Sequence, residues 1–118
     1  KDEQWSWRYL NFGPSELAFS LVVGGTRHDV RITDPSAGVW EHITATYDGG
    51  EVRTYLNGNL DNTDNSMSGP IDTVAKRLTI GGDDSSNEFF AGEIDDPRVY
   101  SKSLSDSEVN NWYKTGSI

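Results

Sequence analysis

Residues Gly38–Leu60 read GVWEHITATYDGGEVRTYLNGNL. From Trp40 to Tyr47 the side chains follow the two-residue period of a β-strand. Ile43, Ala45 and Tyr47 fall on one face, and Trp40 and His42 on the other. Rings or apolar groups on both faces predict a central strand. Asp48-Gly49 supplies the positive φ angles of a hairpin turn, and EVRTYL returns alongside. Asn57-Gly58 is a second signal of the same kind. The stretch thus predicts an antiparallel meander, and its period excludes a helix.

The same pattern continues on both sides. WSWRYL alternates Trp5, Trp7 and Tyr9 with polar neighbours, NFGPSE is a turn, and LAFSLVV alternates Leu17, Phe19, Leu21 and Val23. GGTRHD is expected to turn the chain, with VRI continuing it. Downstream, DNTDNSMSGP (61–70) has no periodicity and is expected to be a long loop, the kind of segment that often carries function. RLTIGG reads as a short strand, DDSSNE as an acidic loop, and FFAGEIDDPRVY as the last strand. Ile94 and Val99 have opposite parity, so a bulge at Asp95-Asp96 is needed to put them on one face. Pro97, which has no N–H to donate, suits a bulge or a sheet edge. One helix follows. Ser105 and Glu108 form a capping box flanked by Leu104 and Val109. Val109, Trp112 and Tyr113 make an apolar stripe, and Gly116 stands at the C-terminal stop. The predicted fold is all-β: a single domain, residues 1–118, built as a two-sheet antiparallel sandwich with one short C-terminal helix.

Composition narrows the functions. The 118 residues contain no cysteine, which excludes disulfides and thiolate metal sites. Nineteen acids against ten Lys and Arg give a net charge of −9, a surface that phosphate backbones repel, so nucleic acid is not an expected partner. No apolar run reaches the roughly 20 residues of a membrane helix, so membrane insertion is not expected either. The acidity fits solubility, cation binding or a saline environment, and the sequence does not choose among them.

Catalysis finds little support. A retaining glycosidase needs carboxyl groups about 5 Å apart, and alternate strand residues sit about 6.6 Å apart, so Glu93 and Asp95 meet that spacing crudely. The string EID resembles the active-site strand of jelly-roll glucanases, Glu-x-Asp-x-Glu or Glu-x-Asp-x-x-Glu. Pro97 and Arg98 stand where its third acid would be. His28 and His42 are unrelated in position, and no Ser has a nucleophile-elbow setting. A calcium site is the more credible chemistry, since calcium takes carboxylate and carbonyl oxygens. Asp95 and Asp96 follow Asp83, Asp84 and Glu88 with no basic residue between Asp83 and Pro97. Such acids repel one another unless water or a cation intervenes, and both readings stay open.

Taken together the motifs resemble the laminin-G-like, concanavalin A-like jelly-roll domains. The family pattern is Trp-x-His, a Thr-Tyr-Asp-Gly turn, a Tyr-x-Asn-Gly hairpin, an Ile-Gly strand, Gly-x-Ile-Asp-Asp-Val-Arg-Ile-Tyr and a Leu-Ser-x-x-Glu-Ile helix. Trp40, His42, Thr46–Gly49, Tyr55, Asn57, Gly58, Ile80, Gly81, Gly92, Ile94–Asp96, Arg98, Tyr100, Leu104, Ser105 and Glu108 match it. Pro97 replaces the usual Val. The match is good over the last two-thirds of the chain and looser before.

The resemblance implies a non-catalytic module of a secreted or cell-surface protein that binds glycans or protein partners. It also implies a structural calcium ion with Asp95 as a ligand; the acidic run itself adds Asp96, Asp83 and Asp84 as candidate metal residues. Set against the family pattern, this chain starts after the opening strand, and its Trp5–Trp7 strand corresponds to the second or the third. The domain is then N-terminally short, with an open sheet edge that invites a homodimer or strand exchange.

Two functions follow. In the first, the module binds carbohydrate through Trp5, Trp7 or Tyr9, with Asn62, Asp64 and Asn65, or through Asn87 with Phe89. In the second, it is a structural or assembly sandwich of a larger extracellular protein. Glycoside hydrolysis stands last, for want of the third acid.

Overall fold

The computed structural model describes residues 4–10, 17–75, 78–83 and 88–116. Among the described residues, eight strands and one helix follow in chain order: β1 (Trp5–Tyr9), β2 (Leu17–Val23), β3 (Thr26–Arg31), β4 (Ile43–Tyr47), β5 (Val52–Leu56), β6 (Asn59–Asp64), β7 (Gly82–Asp83), β8 (Glu88–Phe89) and α1 (Asp106–Thr115). They form two three-stranded antiparallel sheets, β1-β2-β3 and β4-β5-β6, and a two-residue ladder of β7 with β8. This is the expected sandwich with its short helix.

The first sheet turns Phe19, Leu21, Val23 and Val30 inward, where they meet Val52 and Met67. Trp5, Trp7, Ala45, Tyr47 and Ile71 pack around this cluster. The shared face of Ile43, Ala45 and Tyr47 is thus the core-facing side of β4. Burial of such side chains stabilises a fold by roughly 1.5–3 kcal/mol each.

The other face of the second sheet is covered by α1, through a cluster of Tyr55, Leu104 and Val109. Both halves of the capping box are present, and Gly116 closes the helix at φ 72° with its N–H on the Trp112 carbonyl. Asn57 (φ 51°) and Gly58 (φ 79°) make the predicted hairpin turn with both central residues left-handed. Gly58 is doubly required, because a Cβ there would lie 2.8 Å from the Tyr113 Cβ.

Several boundaries differ from the sequence expectations. The first hairpin turns on Gly24 and Gly25 alone, at φ 58° and 79°, so Thr26–Asp29 is strand and not turn. The Trp40 strand begins at Ile43. Asn59–Asp64 is an edge strand that reaches into the expected loop, its register carrying Asp64 opposite Val52. Backbone pairing needs no apolar side chain, so a polar edge strand escapes a hydrophobic pattern. The same polar segment sends Met67 into the core and gives the Gly69 carbonyl to the Tyr47 hydroxyl. Strand β6 also carries a bulge. Asp61 has no cross-strand partner between Leu60–Tyr55 and Asn62–Thr54, and its carboxylate accepts the Thr33 N–H at 2.8 Å.

The largest correction concerns the last two predicted strands. Among the described residues of RLTIGG and FFAGEIDDPRVY, only Gly82 and Phe89 are in a ladder, joined by Asp83 and Glu88 from the expected acidic loop. Residues 93–100 pair with nothing among the described residues. A strand needs a neighbour for its N–H and C=O groups, and no described strand lies beside this one.

Candidate functional site

The motif residues of the C-terminal third converge where α1 crosses the second sheet. Arg98 lies over the Trp112 ring, its guanidinium carbon 4.5 Å from the centroid. Such a contact is worth about 0.5–1 kcal/mol at an exposed site. The His42 ring sits 4.6 Å from the same indole and 5.6 Å from Tyr113, and the Trp112 Nε1–H donates to the Tyr100 hydroxyl at 2.8 Å. Burial lowers the pKa of His42, and the nearby Asp96 charge offsets part of that. Arg98 in turn donates from Nε and Nη2 to the two Asp96 carboxylate oxygens, both at 3.2 Å.

A second anchor holds the helix start. Asp106 Oδ1 accepts from the Tyr55 hydroxyl at 2.7 Å and from Arg53 Nη1 at 2.9 Å. The Tyr55 hydrogen bond is the main cause that holds the Asp106 carboxyl below its ordinary range. Arg53 Nε also reaches Glu51 at 2.7 Å.

The predicted metal residues are described only in part. Asp96 is taken up by Arg98, and Asp95 is exposed with no hydrogen bond among the described residues. Only the backbone of Asp83 is described, in β7, and Asp84 lies outside the described residues. Among the described residues, no three His, Cys, Asp or Glu side chains converge as metal ligands. Calcium takes six to eight oxygens, so two adjacent carboxylates, one already on a guanidinium, do not fit the ion by themselves.

The predicted ligand residues separate into three places. Trp5 and Trp7 are half-buried against Phe19, with centroids at 6.2 and 5.4 Å, so they serve the core. Asn62 and Asp64 share the face of β6 turned toward the first sheet, and Asn65 follows, exposed. Asp64 accepts the Ser66 N–H at 2.8 Å, and the hydrogen bonds from Ser66 lower its pKa. Ser66 Oγ lies 3.4 Å from His28 Nδ1. A Ser, a His and an Asp thus come together, but the Asp is bonded to the Ser backbone and does not orient the His, as a nucleophilic triad requires. Phe89 is 72% exposed, and Asn87 lies outside the described residues. Sequence reasoning passed over Trp40, whose ring is 63% exposed just ahead of β4. Its parity opposite Ile43 was the available signal.

A two-sheet sandwich with one face capped by a helix, this meander and this terminal motif define the lectin-like jelly-roll class. The chain belongs to the Concanavalin A-like lectin/glucanases superfamily: its family Laminin_G_3 matches residues 1–110. Domains of this kind are generally non-catalytic binding modules. Among solved structures, the chain is similar to residues 221–444 of an S-layer domain-containing protein from Clostridium thermocellum, at 25% identity and a TM-score of 0.59. The likeness covers 82% of this chain and 51% of that one, so the chain spans about half of that structure. No curated protein matches the chain.

Proposed function

We propose that the chain is a non-catalytic carbohydrate-binding module of a cell-surface protein. The observation that carries this reading is the exposure of two large rings, Phe89 and Trp40, on a fold whose other tryptophans pack against neighbouring rings. A ring held out in water offers a flat apolar face to a sugar, and nearby amides and carboxylates take the hydroxyls. Family membership supports binding over catalysis. The third acidic position of the glucanase motif supports it as well, since Pro97 and Arg98 stand there and carry no acid. The S-layer description of the solved relative supports the cell-surface setting.

The test is a broad glycan array followed by titration of any ligand found, in calcium and in a chelator. Phe89→Ala or Trp40→Ala is expected to weaken binding at least ten-fold, with the melting temperature unchanged. An array without a single hit, or binding indifferent to both substitutions, overturns this assignment. The chelator arm reads out the part played by an ion.

A further inference from the structure

Trp5, Trp7, Phe19 and Leu21 turn to the core, so the opposite face of the first sheet carries their neighbours. The register sets these in rows across the strands. Arg8, Ala18 and Arg31 make one row, and Ser6, Ser20 and Asp29 the next. Arg27 lies two residues before Asp29 on the same face. Ala18 is fully buried and Ser20 is 4% exposed. The central strand is thus a floor of small residues. The strands that flank it lie about 9.5 Å apart, two strand spacings.

This face opposes the charge of the chain. Three of the ten Lys and Arg stand on it, in a protein with nineteen acids. Asp29 is the one carboxylate of the three strands, and it shows how the face holds an anion. Its Oδ1 accepts from the Ser20 hydroxyl and, at 3.0 Å, from Arg27 Nε. Arg8 and Ser6 repeat that pair of donors on β1 without a carboxylate bonded to them. Arg8 Nε is buried and has no hydrogen-bond partner, and the Ser6 hydroxyl has none among the described residues. Asp29 feels the charge of Arg8 without being bonded to it. A buried guanidinium N–H with no acceptor is costly, and a bound anion removes that penalty.

The kind of anion follows from what the face offers. The backbone of β2 is paired on both sides, so only side chains are free to bind. An extended peptide needs unpaired N–H and C=O groups. A nucleic acid strand needs exposed rings for its bases, and Trp5, Trp7 and Phe19 turn theirs to the core. A sugar chain needs neither, and its hydroxyls suit serine and arginine side chains.

We propose that the outer face of the first sheet binds the carboxylates of an acidic polysaccharide, with Arg8 and Ser6 taking one carboxylate as Arg27 and Ser20 take Asp29. The inference rests on the reading of the chain as a carbohydrate-binding module, and adds to it a second face and the charge of the sugar. The test is a titration with polygalacturonate, in a chelator, beside its methyl ester, which is the same polymer without charge. The ester is expected to bind at least ten-fold more weakly. Arg8→Gln and Arg8→Lys are each expected to weaken binding of the acid at least ten-fold, since an ammonium lacks the fork of donors that fits a carboxylate. Ser6→Ala, the milder change, is expected to weaken it several-fold with the melting temperature unchanged. Lys114→Gln removes an exposed cation elsewhere, on α1, and is expected to leave binding as it was.

An acid form that does not bind, or that binds no better than its ester, overturns the proposal. So does binding that Arg8→Gln and Ser6→Ala leave intact. A loss in Lys114→Gln as large as in Arg8→Gln means diffuse attraction, and overturns it as well. The two carbohydrate readings fail separately. A neutral glycan held through Trp40 or Phe89, with polygalacturonate unbound, overturns this face alone. Polygalacturonate binding lost in Arg8→Gln and kept in Trp40→Ala and Phe89→Ala supports this face without the exposed rings.

Discussion

Val99 and Val109 are ten residues apart and have opposite surroundings. Val109 is fully buried against Tyr55 and Leu104, whereas Val99 stands 62% exposed. The first belongs to a helix that satisfies its own backbone and needs only a surface to lie on. The second belongs to an extended segment with no strand beside it among the described residues. The contrast extends to their surroundings. Around α1 the polar groups are drawn into hydrogen bonds with the second sheet, while Leu78, Ile80, Phe89, Ile94 and Val99 stand exposed in the stretch before it. The covered region is therefore where substitutions should unfold the protein, and the open stretch is where they should leave folding alone.

The largest effect is expected inside the sandwich. Leu21→Ala empties a fully buried position between the sheets and should cost about 2–5 kcal/mol in urea denaturation. A loss below about 1 kcal/mol would mean that the two sheets are not packed as described. Next comes Gly58→Ala, which sets a methyl against Tyr113 at a left-handed φ and should cost roughly 2 kcal/mol. If the helix instead floats free of the β5–β6 turn, the variant will melt within a degree or two of the wild type.

Asp106→Asn should cost about 1 kcal/mol at neutral pH by weakening the bonds from Tyr55 and Arg53. Its pH dependence is the sharper measurement. The folded-state pKa of Asp106 lies below the ordinary 3.8, so its contribution is complete above that value and is lost as pH falls through and below it. The variant's stability should therefore fall less steeply than the wild type's below about pH 4, and parallel curves would remove Asp106 as the anchor. His42 has the same sign in a higher window: burial lowers its folded pKa, so its contribution is complete above the ordinary 6.5 and fades as pH falls. The smallest effect is expected at Val99→Lys, within about 0.5 kcal/mol of the wild type. A large loss there would move Val99 into the core and erase the contrast.

The same contrast explains what the sequence disclosed. The helix was legible to the residue, because capping box, staple and terminal glycine are all local signals. The hairpin at Asn57-Gly58 was legible for the same reason. The pairing of residues 93–100 was not, since alternation shows that a segment is able to be a strand and says nothing about its partner. The candidate site followed suit. Asp96 was visible as an acid in an acidic run, but alternation along the chain does not show that Arg98 turns to it and also lies over Trp112 of the helix. Trp5 and Trp7 alternate with polar residues whichever face the sheet turns inward, and only packing against Phe19 settles it.

The bulge at Asp61 has a consequence of another kind. The extra residue places a carboxylate from the outermost strand of one sheet on the Thr33 N–H just beyond the end of β3 in the other. The length of β6 is thereby tied to the spacing of the sheets, like a stitch counted on one edge of a fabric and fastened to the layer beneath. Shortening β6 by that one residue would straighten the ladder and undo the stitch together, so the strand tolerates changes of side chain more readily than changes of length.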